Sequence, residues 1–114
     1  MSVNMSTRQV GDVTVVDVSG RITLGDGAST FRDTVRDLAA SGKKKLLLNL
    51  AEVSYIDSSG IGEMVSGFTT VTNQGGQVKL LNLTKRVKDL LQITKLYTVF
   101  EVFEDEAAAV RSYS

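Results

Sequence analysis

Between Tyr55 and Gly62 the chain reads Tyr55-Ile-Asp-Ser-Ser-Gly-Ile-Gly62. One acid, Asp57, and two hydroxyls, Ser58 and Ser59, stand side by side, followed by Gly60, Ile61 and Gly62. The flanking pattern puts this group between an extended segment and a helix. A helix start carries unsatisfied N–H groups and a partial positive charge. Ser58 or Ser59 can cap those groups. A phosphoryl group on Ser58 would meet the same donors. Gly60 and Gly62 would keep the first turn open to a close-approaching partner or phosphate. Spacing alone leaves two readings side by side: a modifiable hydroxyl, or ordinary caps with glycines that let the helix pack.

Composition removes most other chemistry. The 114 residues include no His and no Cys. That excludes Ser-His-Asp and Cys-His catalysis, zinc-thiolate sites and disulfides. Ser58 lacks the Gly-x-Ser-x-Gly elbow of a hydrolase nucleophile. Gly25-Asp-Gly27 has no following Gly-Lys-Ser/Thr, so it is no P-loop. Asp12, Asp17, Asp26 and Asp57 lack calcium-loop spacing. No cofactor or metal is expected, and no catalysis. With 13 basic and 13 acidic residues the net charge is zero, which argues against a nucleic-acid partner. The clusters Lys43-Lys-Lys45 and Lys85, Arg86, Lys88 read as solvated faces. Apolar runs are far short of the roughly 20 residues needed to span a bilayer, so no membrane insertion is expected. The N-terminal residues lack a secretory pattern, and a cytoplasmic location is expected.

The elements that must position Asp57 and Ser58 are legible from periodicity. Ser6–Val10 and Val13–Val18 flank the turn signal Gly11-Asp12 and form a hairpin. Gly20–Ser29 reads as a Gly-rich loop. Phe31, Val35, Leu38 and Ala39 recur at helical spacing, so a helix covers about residues 28–40. Leu46-Leu-Leu-Asn-Leu50 does not alternate, which suits a strand covered on both faces. Val53–Ile56 extends toward the next helix, over about residues 59–73, which Gly75-Gly76 ends. On that helix Met64, Val65 and Phe68 are candidates both for the core and for an apolar contact near Ser58. Gln77–Leu83 is another buried strand. Thr84 caps a helix carrying Val87, Leu90 and Leu91. Val99–Phe103 is a last strand, with Phe100 and Phe103 in the core, and a short helix follows to Arg111. The order β-β-α-β-α-β-α-β-α predicts an α/β fold: a mainly parallel sheet of roughly four to five strands, an antiparallel N-terminal edge hairpin and about four helices. Residues 1–114 are expected to form a single domain. Function in such sheets gathers beyond the carboxyl ends of the strands.

Asn49-Leu-Ala-Glu-Val-Ser-Tyr-Ile-Asp-Ser-Ser-Gly-Ile-Gly62 resembles the signature of the STAS domain family of bacterial anti-sigma factor antagonists. Val18-Ser-Gly-Arg-Ile22, Gly75-Gly-Gln-Val-Lys-Leu80, and Val87, Leu90, Leu91 with Thr94-Lys-Leu-Tyr97 are similar to the segments that precede and follow it there. The resemblance covers nearly the whole chain. It implies a STAS-type fold and a partner-switching role. Such an antagonist binds an anti-sigma factor that is also a serine kinase of the GHKL type, and so frees the sigma factor. The kinase phosphorylates the first Ser after the acid, which maps to Ser58, and a PP2C-type phosphatase reverses the step. Asp57 maps to the acid beside the acceptor. Where the family commonly has an acid or small polar residue near the acceptor, this chain has Thr23, with Asp26 slightly further along. A different class of role is a non-catalytic STAS subunit of a lipid-transport or stress-sensing assembly, with Ser58 merely structural.

Overall fold

The computed structural model describes residues 3–113. Strands β1 (Val3–Val10) and β2 (Val13–Ile22) form an antiparallel hairpin. Val10 pairs with Val13 across the Gly11-Asp12 turn, where Gly11 takes φ 61°. Strands β3 (Lys45–Ile56), β4 (Gln77–Leu81) and β5 (Val102–Phe103) add to β2 in parallel. The spatial order of the five is their order in the chain. Helices α1 (Asp26–Ala40), α2 (Ser58–Asn73), α3 (Lys85–Ile93) and α4 (Glu106–Arg111) complete the molecule.

The apolar run at Leu46–Leu50 is covered on both faces, as its lack of alternation implies. Leu46, Leu48 and Leu50 join one cluster with Phe31 and Val35 of α1, Ile61 and Met64 of α2, and Val87 and Leu91 of α3. Leu47 points the other way, into a smaller cluster with Val13, Val15, Leu81, and Ala109 and Tyr113 from the C-terminal end. Each fully buried Leu, Ile or Phe contributes about 1.5–3 kcal/mol of transfer free energy, so the larger cluster dominates the fold. It also fixes the register of β3. Between Thr14↔Leu46 and Ile22↔Ile56 the β3 strand advances two residues further than β2, through irregularities near Ser19 and Arg21. Such bulges re-aim side chains near a strand end.

Several boundaries differ from the periodicity reading. β1 begins at Val3, and β2 runs on to Ile22. The expected loop Gly20–Ser29 therefore shrinks to Thr23–Gly25, and α1 starts at Asp26. Gly27 makes that early start possible: a Cβ there would lie 2.3 Å from the Arg21 carbonyl oxygen. β3 is one strand through Ile56. β4 stops at Leu81 because Asn82 turns to φ 58°. The last strand is two residues, Val102–Phe103, where five were expected. Phe100 is buried, and Phe103 is half-buried against the smaller cluster.

Candidate functional site

The carboxyl end of β3 delivers Asp57 and Ser58 to the start of α2. Asp57 is the N-cap, with extended backbone at φ −116°. One carboxylate oxygen accepts a hydrogen bond from the Gly60 N–H at 2.9 Å. The other accepts from the Leu24 N–H at 3.0 Å, across the β2–α1 loop. The Asp57 N–H itself donates to the Ile22 carbonyl at 3.4 Å, and its carbonyl accepts from Ile61 N–H at 3.0 Å. Asp57 thus ties three segments together. Partial desolvation pushes its carboxyl up, but hydrogen bonds from Gly60, Leu24, Ser59 and its own N–H outweigh that and hold it below the ordinary carboxylate value.

The cap corrects the expectation that Ser58 or Ser59 would fill this role. An acid before the first helical turn suits the positive helix end better than a hydroxyl. Ser58 is consequently released. It is the exposed first residue of α2, and its hydroxyl makes no hydrogen bond among the described residues. Ser59 is half-buried beside it.

The glycines divide the work. Gly60 is buried, and a Cβ there would stand 2.2 Å from the Ile22 carbonyl oxygen. It seats α2 on the end of β2, so it serves packing, not an open turn. Gly62 is exposed and a Cβ there would meet nothing within 4 Å. Gly62 alone leaves room for an approaching surface. Ile61 is only 2% exposed and belongs to the core.

Thr23 is half-buried, and its carbonyl accepts from Ala28 N–H at 2.8 Å to start α1. Asp26 is exposed in the first turn of α1. The short loop that holds Thr23 and leads into Asp26 is joined to Asp57 through Leu24. Met64 is buried, Val65 half-buried, and Phe68 meets Phe100 edge-to-face at 5.2 Å. All three thus belong chiefly to the packing. The free apolar group beside the site is Leu24, 80% exposed, which the periodicity reading passed over as loop. Its only signal was a large aliphatic between polar and glycine residues.

A cleft of about 370 Å³ opens along β1–β3, lined by Asn4, Met5, Ser6, Asp17, Val18, Ser19, Asn49 and Glu52, and it holds none of the residues 57–62. Among the described residues no carboxylate cluster is placed to hold a metal ion. Among the described residues no helix is long and apolar enough to cross a membrane. The site around Ser58 is a surface with a projecting Leu24, a form suited to another protein.

The family described as the STAS domain matches residues 4–109. The chain belongs to the STAS domain family. An anti-sigma-B factor antagonist of Bacillus subtilis (strain 168) is 34% identical to this STAS domain over 102 residues, covering 90% of this chain and 92% of that protein. An anti-sigma factor antagonist from Mycobacterium paratuberculosis shares the fold at TM-score 0.86 and 17% identity, covering 97% of this chain and 93% of that one. The phosphorylated form of the Bacillus cell fate determinant SpoIIAA shares it at TM-score 0.75 and 18% identity, covering 97% and 100%. These structural likenesses bear out the mixed sheet with its antiparallel β1–β2 edge as the STAS architecture.

Proposed function

We propose that this STAS domain, acting as a single domain in the cytoplasm, is an anti-sigma factor antagonist switched by reversible phosphorylation of Ser58. The observation that carries the reading is the exposed, unbonded Ser58 hydroxyl at a helix start whose cap is already filled by Asp57. Its partner is an anti-sigma factor that doubles as a serine kinase of the GHKL type. That kinase transfers the γ-phosphoryl group of ATP to Ser58 Oγ, releasing the hydroxyl proton and ADP. A PP2C-type phosphatase hydrolyses the ester with water.

The charge arithmetic favours release. A phosphoryl group adds about −1.5 to −2 charge at neutral pH. The Gly60 N–H, one of the donors that would receive an anion, is already engaged by the Asp57 carboxylate, itself negative. The new charge therefore faces the docked protein with few partners of its own. Shifting a complex from almost fully bound to almost fully free takes about 5.5 kcal/mol. Burying an unpaired dianion in an interface supplies energies of that order.

Intact mass after incubation with host extract and ATP tests the assignment. Wild type should gain one phosphoryl group and Ser58→Ala none. Ser58→Ala should retain the kinase constitutively, and Ser58→Asp should bind it more weakly. Phosphorylation of Ser58→Ala to the wild-type extent would remove Ser58 from the switch. No added mass, together with transporter subunits retained in place of a kinase, would favour a permanent structural subunit.

A further inference from the structure

Arg21 is the penultimate residue of β2, and Arg86 lies in the first turn of α3. Both guanidinium groups stand over the same ring. Their central carbons are 5.2 Å (Arg21) and 4.2 Å (Arg86) from the Tyr55 centroid. Tyr55 pairs with Arg21 across the β2–β3 ladder and lies on the strand end that carries Asp57 and Ser58. Both arginines are exposed. Among the described residues neither is paired with a carboxylate, whereas Arg8 holds Asp17 and Glu106, and Arg32 holds Asp33 and Glu63.

Two like charges gathered on one ring, without an acid between them, repel one another. The ring quadrupole offsets part of this. An anion placed across both would offset the rest. A guanidinium stacked by its face keeps its N–H edges free, and that fork matches a carboxylate with two parallel hydrogen bonds. The patch is two residues wide on a chain of zero net charge, which is no track for a nucleic-acid backbone. Both groups stand on open surface, where a free small anion would find few other contacts. A carboxylate carried by a docked protein has the rest of the interface to hold it.

We propose that Arg21 and Arg86, held on the Tyr55 ring, receive an acidic side chain of the anti-sigma factor that docks over Ser58. This rests on the partner-switching reading and adds to it the charge that the partner must present. Arginines at the rim of an interface act on encounter and on salt dependence more than on residence. An acidic partner group drawn to this patch also meets the negative charge that phosphorylation places on Ser58, so the attraction that assembles the complex is opposed at the same end of the sheet.

The test is the association rate and affinity for the purified anti-sigma factor of the same host, measured at low and high salt. Arg21→Gln with Arg86→Gln should weaken binding about tenfold or more at low salt, chiefly through slower association, and flatten the salt dependence. Arg111→Gln, at the end of α4, should leave binding unchanged. The single variant Arg86→Gln, at an exposed helical position, should show the same trend with an unaltered melting temperature. A double variant with wild-type association rate and salt slope, while Ser58→Asp still binds weakly, would overturn this proposal and leave the Ser58 switch standing. A wild-type chain that does not bind the anti-sigma factor would overturn both.

Discussion

One oxygen of the Asp57 carboxylate fixes the start of α2 through Gly60, and the other fixes the β2–α1 loop through Leu24. Replacing Asp57 with Ala removes both contacts. Loss of the cap alone costs about 1 kcal/mol, up to about 2, and the melting temperature of Asp57→Ala should fall accordingly. Hydrogen exchange at Leu24 should accelerate in the same variant. Asn caps nearly as well as Asp, so Asp57→Asn isolates the charge. The folded-state carboxyl sits below its ordinary value, so its ionised form stabilises the fold above the unfolded value of about 4. That contribution is lost as pH falls through the lower folded value. Denaturant unfolding should therefore show wild type more stable than Asp57→Asn at neutral pH, with the gap closing only below about pH 4. At this scale Asp57, Ser58 and Gly60 were all visible in the sequence. Their division of labour was not, because an Asp and a Ser at successive positions are both good caps and only the backbone trace decides between them. Leu24 was invisible for a related reason: one apolar residue in a polar loop carries no period, and its exposure depends on how tightly the loop turns.

The two glycines of α2 make a controlled comparison between elements. Gly60 sits where α2 crosses the end of β2, with a prospective Cβ 2.2 Å from a backbone oxygen. Gly60→Ala forces α2 and β2 apart and should destabilise by about 1–3 kcal/mol, as overpacking does. Gly62 is helical and unobstructed. Gly62→Ala should stabilise the fold by about 0.5–1 kcal/mol, since Ala loses less entropy in a helix. The same methyl group would intrude on a partner, so its affinity should fall while the melting temperature rises. Periodicity located every helix and strand near its observed place because core positions repeat faithfully, as Phe31 and Val35 do in α1. It failed at the ends. Gly25-Asp-Gly27 has loop composition, yet Gly27 is where α1 rests on β2. The last strand is short because hydrogen bonds to β4 reach it only around Val102–Phe103.

At the scale of the whole molecule, Ser58 and the C-terminal closure lie at opposite ends of β3, Ser58 just past its last residue and Tyr113 against Leu46 near its first. Lys79 is 4% exposed, and its ammonium donates to the Ser112 carbonyl at 3.1 Å and to its hydroxyl at 2.8 Å. It also lies 4.6 Å from the Tyr113 ring centroid and 3.6 Å from a Glu101 oxygen. The Tyr113 hydroxyl donates to the Leu46 carbonyl, and Arg8 reaches from β1 to Glu106 of α4. These contacts close the smaller cluster beneath Leu47. Lys79→Ala removes the cation and the two hydrogen bonds it gives Ser112, and should destabilise by about 1–3 kcal/mol. Binding of the anti-sigma factor by the folded fraction should be unchanged. Isothermal calorimetry alongside thermal unfolding separates the two effects.

The strands lie side by side in the order of the chain, and that has a meaning for synthesis. A polypeptide leaves the ribosome N-terminus first, and this sheet grows by adding each new strand beside the one before it, with no gap held open for a later arrival. The hydrogen-bond partners of Asp57 come from the end of β2, the β2–α1 loop and the first turn of α2. Asp57 and Ser58 are therefore delivered together with these supports before α4 has been made. The contacts from Glu106 to Arg8 and from Tyr113 to Leu46 come last, as a clasp between the newest part of the chain and the oldest.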